Sequence, residues 1–238
     1  MGSMDVGPGQ GSSMLRLARW STVVLVAVVL LEWPASAMPS LQAQALPTDH
    51  LHQFLETVTV RIDIDLPDRR GICTGWVGWT EAERSAVYTA AHCYQPDGKY
   101  RATIGGRDSL SASGVTKWDA PDLMVLWIAR GNLPILWSWK PLPTTPFRAL
   151  YMLYESGSGS HLVEVDIPRI YREIRFKNDP ASVALPLTSH PGTSGAPIID
   201  AADGALVGMV VGFLENRPDI SAVIPAQTIY KTLVGPPP

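Results

Sequence analysis

The sequence predicts an all-β fold: two small barrels joined by a linker and followed by one short C-terminal helix. Three observations carry this. The 238 residues include 20 Gly and 21 Pro, where an average chain has about 12% of the two together. Apolar residues fall in short runs with a period of two, bounded by turn residues. Charged residues make up only 17% and form no long runs, which argues against a helical bundle or coiled coil. At 46% apolar, the chain can bury one large core or two small ones and is not intrinsically disordered.

The elements follow in order. Residues 1–13 are Gly/Ser-rich and featureless. From Met14, Arg16 and Arg19 precede an apolar run from Val23 to Leu31, then Glu32, Trp33, Pro34 and small residues. That is the order of a secretory signal, with an A-x-A site at Ala35-Ser36-Ala37 and a second at Ala43-Gln44-Ala45. A membrane anchor is the alternative, but the uninterrupted run stops at Leu31, and a spanning helix needs roughly 20 apolar residues. Residues 1–37 are therefore expected to be a leader that meets the membrane only in transit. The mature chain is expected outside the cytoplasm, secreted or periplasmic, where its cysteines can pair.

Residues 38–54 are expected to be a solvated N-terminal segment. Thr57–Asp65 alternates, with Val58, Val60, Ile62 and Ile64 on one face and Thr59, Arg61, Asp63 and Asp65 on the other, as a half-buried strand does. Cys73–Trp79, Val87–Ala90, Arg101–Ile104 and Leu123–Ile128 complete a first barrel over 55–132. The prolines Pro134, Pro141, Pro143 and Pro146 mark a linker over 133–146. A second barrel over 147–238 takes Leu150–Tyr154, Leu162–Ile167, Ile170–Phe176, Val183–Leu185, Ile198–Ile199, Leu206–Phe213 and Ala222–Ile224. Hairpin turns are expected at the SGSG of 156–159 and at Asp203-Gly204. Only Ala226–Val234 has helical spacing, with Ile229 and Leu233 behind Pro225.

Composition also excludes. The net charge is −3 with no basic stripe, so nucleic acid is not an expected partner. Two cysteines cannot build a Cys-rich zinc module, and no Cys or acidic cluster completes a metal site around His50-Leu51-His52. No metal or cofactor is expected. Trp76 and Trp79 sit in a core strand pattern, and Trp118, Trp127, Trp137 and Trp139 are assigned to core or interdomain packing.

Three short passages carry chemistry. In Thr89-Ala90-Ala91-His92-Cys93 a strand ends in small residues and presents a histidine. Cys73 lies on the preceding strand, so the two thiols either bridge across the hairpin or remain free and buried. In an exported chain the bridge is preferred, worth about 3 kcal/mol by loop closure. In Pro121-Asp122-Leu123-Met124-Val125 an acid leads into an apolar strand, which alone would be only a turn residue. In His190-Pro191-Gly192-Thr193-Ser194-Gly195-Ala196-Pro197-Ile198 a serine between glycines suits a tight turn that exposes its hydroxyl and frees N–H groups.

Taken in order, T-A-A-H-C, D-L-x-V-L and G-T-S-G-A-P-I closely resemble the chymotrypsin/trypsin-like serine peptidases, above all their compact bacterial and viral branches. The resemblance spans about residues 55–233 and implies two six-stranded antiparallel β-barrels. It implies His92 as general base, Asp122 as the acid orienting it, and Ser194 as nucleophile, in the chain order of that clan. It further implies Gly192 and Ser194 as oxyanion-hole donors and Cys73–Cys93 as the disulfide bracketing the histidine. The chemistry needs each part. A serine hydroxyl is unreactive without a base whose pKa lies near neutrality. The imidazole needs a carboxylate to fix its tautomer, and the developing oxyanion needs fixed donors. The α/β-hydrolase elbow G-x-S-x-[G/A] is nearly matched, but that fold puts its histidine after the serine, and all five histidines here precede Ser194.

The resemblance also sets expectations about selectivity and activation. Polypeptides are the implied substrates, with Thr188 at the floor of the side-chain pocket and Val210, Val211, Gly212 and Phe213 along its wall. No acid stands at the floor, so a small or medium apolar residue is expected before the scissile bond. His190 is expected as an exposed loop residue of the cleft. Thr193 stands where zymogen-type members have an aspartate that pairs with a new N-terminus, so a preformed oxyanion hole is expected. The alternative is a protein of this fold that binds without turnover, although the loss of a triad member usual in such proteins is absent.

Overall fold

The computed structural model describes residues 48–234 except 107, 156–158, 175, 177–180 and 215. The leader, both A-x-A sites and most of the SGSG turn lie outside the described residues. Among those described, no helix is long and apolar enough to cross a membrane.

The first six strands are β1 (Thr59–Asp65), β2 (Arg70–Thr80), β3 (Ser85–Thr89), β4 (Lys99–Ile104), β5 (Asp108–Trp118) and β6 (Leu123–Ile128). They close into an antiparallel barrel of order β1-β2-β3-β6-β5-β4. The alternation of β1 is realised from Val60 onward: Val60, Ile62 and Ile64 are buried, while Arg61, Asp63 and Asp65 are partly exposed; Thr59, expected on the open face, is fully buried. The next six are β7 (Phe147–Glu155), β8 (Gly159–Ile167), β9 (Val183–Leu185), β10 (Pro197–Asp200), β11 (Leu206–Leu214) and β12 (Arg217–Pro225). They form a six-stranded antiparallel sheet of order β8-β7-β10-β11-β12-β9. Two units of six strands thus match the expected all-β architecture, the first closed on itself. Asp203-Gly204 makes the expected turn between β10 and β11, with Gly204 at φ +72°.

Strand β7 joins the halves through its own period of two. Leu150 and Met152 join the core that runs from the first barrel to α2, and Tyr151 and Leu153 face the second core, as alternate residues of a strand must. Helix α2 (Ala226–Val234) lies where helical spacing placed it.

Four expectations are corrected. Residues 48–58 form a helix, α1 (Thr48–Val58), so the strand begins at Thr59 rather than Thr57. Leu51, Leu55 and Val58 recur at helical spacing and are buried, and α1 packs beside β4 and β7. His50 and His52 therefore belong to a docked helix, with His52 facing Glu56 at 3.4 Å. Strand β5 was not expected, since its apolar signal is only Leu110 and Ala112 among serines before a bulge; it pairs with β4 on one side and β6 on the other. Ile170–Phe176 is not a strand: Tyr171 makes a single bridge to Ala184 and a turn follows. Finally, Trp137 is 75% exposed, and Trp139, itself 38% exposed, stacks on Tyr230 rather than filling the interior.

Candidate active site

The barrel register brings the histidine and aspartate together. Thr89, the last residue of β3, pairs with Met124 near the start of β6, so the residues just after one strand lie beside those just before the other. Ala90 and Ala91 are buried, and their small side chains let the chain turn tightly into a single 3-10 turn, Ala91–Cys93. His92 Nδ1 lies 2.6 Å from Asp122 Oδ2, and the His92 backbone N–H donates to Asp122 Oδ1 at 2.8 Å. One carboxylate thus fixes both the ring and the backbone of the histidine. With Nδ1–H donating to Asp122, Nε2 is left as an acceptor, and it lies 2.8 Å from Ser194 Oγ. The imidazole is 47% exposed and the carboxylate 19%, so the base is open to solvent.

The disulfide holds this turn to the neighbouring strand. Cys73 on β2 and Cys93 beside His92 are bonded, with Cα atoms 6.5 Å apart. Among the described residues no group of His, Cys, Asp and Glu has the arrangement of a metal site.

Ser194 lies on the loop between β9 and β10. The Gly195 N–H donates to Val210 O at 2.7 Å, and the Val210 N–H to Ala196 O at 3.0 Å, which docks the loop on β11. Gly192 has φ +104° and Gly195 φ +89°, a region that L side chains avoid. The Thr193 N–H donates to His190 O at 2.9 Å, and Thr193 Oγ1 accepts the His190 N–H at 3.0 Å. Among the described residues, no acceptor pairs with the N–H of Gly192 or of Ser194. The N–H groups on either side of Thr193 are thus uncommitted, as donors to an oxyanion must be.

The pocket residues named from the sequence separate into two groups. Thr188 is exposed, and its carbonyl accepts the Tyr151 hydroxyl at 2.7 Å. Burial pushes the Tyr151 phenol up to about 12, so it stays a neutral donor there. Gly212 is half-exposed and Phe213 is 44% exposed. Val210 and Val211 are buried side chains, one in each core, so only their backbone is placed to serve a cleft. Beside Thr188, the Ser221 hydroxyl bonds Leu187 O and Ser189 Oγ. His190 is exposed, as expected.

Sequence reasoning missed the threonines behind the loop. Thr74, fully buried on β2, donates its N–H to Ser194 O at 2.8 Å and its hydroxyl to Gly192 O at 2.7 Å. Its hydroxyl also accepts the Tyr154 N–H at 3.1 Å, and its carbonyl accepts Thr89 Oγ1 at 2.6 Å. The available signal was the pair of lone hydroxyls, Thr74 and Thr89, set in otherwise apolar core strands.

Two β-units meeting at a Ser–His–Asp chain with open N–H donors define a serine-nucleophile site of the chymotrypsin-like class. A family model of the trypsin-like peptidase domain matches residues 73–209. The chain belongs to that family. Solved structures similar to it include a serine endoprotease from Yersinia pestis, 18% identical with a TM-score of 0.63, over 79% of this chain and 65% of that one. Another is the active form of the Rv3671c protease from M. tuberculosis, 20% identical with a TM-score of 0.66, over 79% of this chain and 85% of that one. A third is the HtrA-type protease AlgW with a tripeptide, 16% identical with a TM-score of 0.67, over 79% of this chain and 62% of that one. At these identities the likeness is one of fold, and this chain spans less than two thirds of the Yersinia and AlgW chains. No curated protein sequence matches it.

Proposed function

We propose that the chain is an exported serine endopeptidase that hydrolyses peptide bonds through an acyl-enzyme. The observation that carries this is the unbroken chain from Asp122 through His92 to Ser194, at 2.6 Å and 2.8 Å. His92 Nε2 takes the Ser194 proton as Oγ attacks the scissile carbonyl, then passes it to the leaving amine. Asp122 holds the ring and stabilises the imidazolium. The carbonyl oxygen, now anionic, receives the N–H groups of Gly192 and Ser194. Water then repeats the sequence on the ester and frees the enzyme. No metal or cofactor enters any step.

Export is supported by the order of charges and apolar residues over 14–37 and by the Cys73–Cys93 bridge, which suits an oxidising compartment. For selectivity, the segment from Pro186 to Pro191 carries no acid to receive Arg or Lys, and the hydroxyls of Ser189 and Ser221 beside it bond each other. A small or medium apolar residue is the expected preference.

The test is labelling of the purified mature chain by a fluorophosphonate at neutral pH, with peptide-library cleavage alongside. Labelling that disappears in Ser194→Ala supports the peptidase. A folded wild-type chain that takes no label would instead be a binding protein of this fold. Dominant cleavage after Arg or Lys would overturn the pocket assignment.

A further inference from the structure

We infer that Thr74 is the positioning residue that sets the oxyanion geometry, because it holds the carbonyls of both residues whose N–H groups form the hole. The inference rests on the serine-peptidase reading and adds a residue outside the triad. The two bonds come from one residue of the first barrel. The Thr74 N–H holds Ser194 O at 2.8 Å, and the Thr74 hydroxyl holds Gly192 O at 2.7 Å. Among the described residues, no other donor reaches Gly192 O.

The consequence follows from peptide planarity. The plane joining Gly192 to Thr193 is tied at its oxygen by Thr74 and at its N–H by His190 O, at 2.9 Å. Gly192 has no Cβ to define its own orientation, and at φ +104° its neighbours must do so. The Gly192 N–H lies in the preceding Pro191–Gly192 plane, which shares the Gly192 Cα with this one, so tying this plane at both ends restricts the range of the Gly192 N–H on one side and of the Ser194 N–H on the other. Thr74 is itself over-determined. Its hydroxyl hydrogen is committed to Gly192 because the Tyr154 N–H occupies an acceptor position, and its carbonyl is held by buried Thr89. Without the hydroxyl, Gly192 O is a buried acceptor with no partner, which costs free energy that rotation of the peptide would relieve. That rotation shifts the Gly192 Cα, and with it the Pro191–Gly192 plane that carries the donor. Valine keeps the volume of threonine and removes the bond.

Saturation kinetics of fluorophosphonate labelling provide the test, since the phosphonyl oxygen enters the same hole while reversible binding does not depend on it. Thr74→Val is expected to lower the limiting labelling rate by about 10- to 100-fold, with the half-saturation concentration changed by less than about twofold. Thr74→Ser, which keeps the hydroxyl, is expected to recover the rate to within about threefold of wild type. Thermal unfolding of each variant is recorded beside it, because a packing role would shift the melting temperature without slowing the folded enzyme. If Thr74→Val does not fold, the comparison of Thr74→Ser with Thr74→Ala carries the same test. A folded Thr74→Val or Thr74→Ala at the wild-type rate, or Thr74→Ser as slow as the variants lacking the hydroxyl, overturns the inference while a labelled wild type leaves the peptidase reading standing. A wild type that takes no label overturns both.

Discussion

Gly192 shows how far one position can be constrained by what surrounds it. Its φ of +104° is already costly for an L side chain, and a Cβ built there would run into the Tyr154 carbonyl and press on Ile72. Neither neighbour can yield easily, since the Tyr154 oxygen is main chain. Gly192→Ala is therefore expected to cost roughly 1–3 kcal/mol in stability. The folded fraction is expected to react with fluorophosphonate at least about 100-fold more slowly, because the displaced residue carries one of the two proposed oxyanion donors. A melting curve and a labelling rate on the same preparation check both. A variant with wild-type stability and rate would mean that the loop is far softer than its contacts indicate.

At the level of elements, the disulfide ties the turn that bears His92 to β2, the strand that bears Thr74. It closes a loop between residues separated by 20 positions, worth about 3 kcal/mol if the unfolded chain is the state it constrains. Replacing both cysteines by serine is expected to lower stability by about that amount in a denaturant titration, with labelling slowed in the folded protein. Unchanged stability would show that hydrogen bonding and packing alone hold the turn. The elements also show what sequence could reveal. The triad was legible because each member sits in a short run whose neighbours serve the same turn, such as Ala90 and Ala91 before His92. Helix α1 was missed because Leu51, Leu55 and Val58 run directly into the alternation of β1, and the longer pattern hid the shorter. Strand β5 was missed because its apolar residues, Leu110, Ala112, Val115 and Trp118, are only partly buried and lose their period of two at the bulge between Ala112 and Gly114. Thr74 was illegible for another reason: its partner Gly192 lies 118 residues away, and only the meeting of the barrel with the second sheet joins them.

For the whole molecule, the expectation concerns activation. Thr193 is buried and uncharged, and its hydroxyl accepts the His190 N–H within its own loop, so there is no carboxylate there to receive a buried N-terminal ammonium. An unpaired ammonium in that place would cost several kcal/mol. Mature chains starting at Met38, at Leu46, or with a few residues added before Leu46 are expected to turn over at comparable rates. Activity confined to one start, and lost on adding a single residue, would refute this. Helix α1 begins at Thr48, beyond all of these starts, and its place in the fold has a consequence for the order of synthesis. Its apolar face is made early, yet one of the strands it rests on, β7, begins only at Phe147. While the first half of the chain emerges, that face has only part of its cover, and the joint between the halves closes late. The first barrel can close on its own six strands, but the seat of α1 is complete only after β7 has been made.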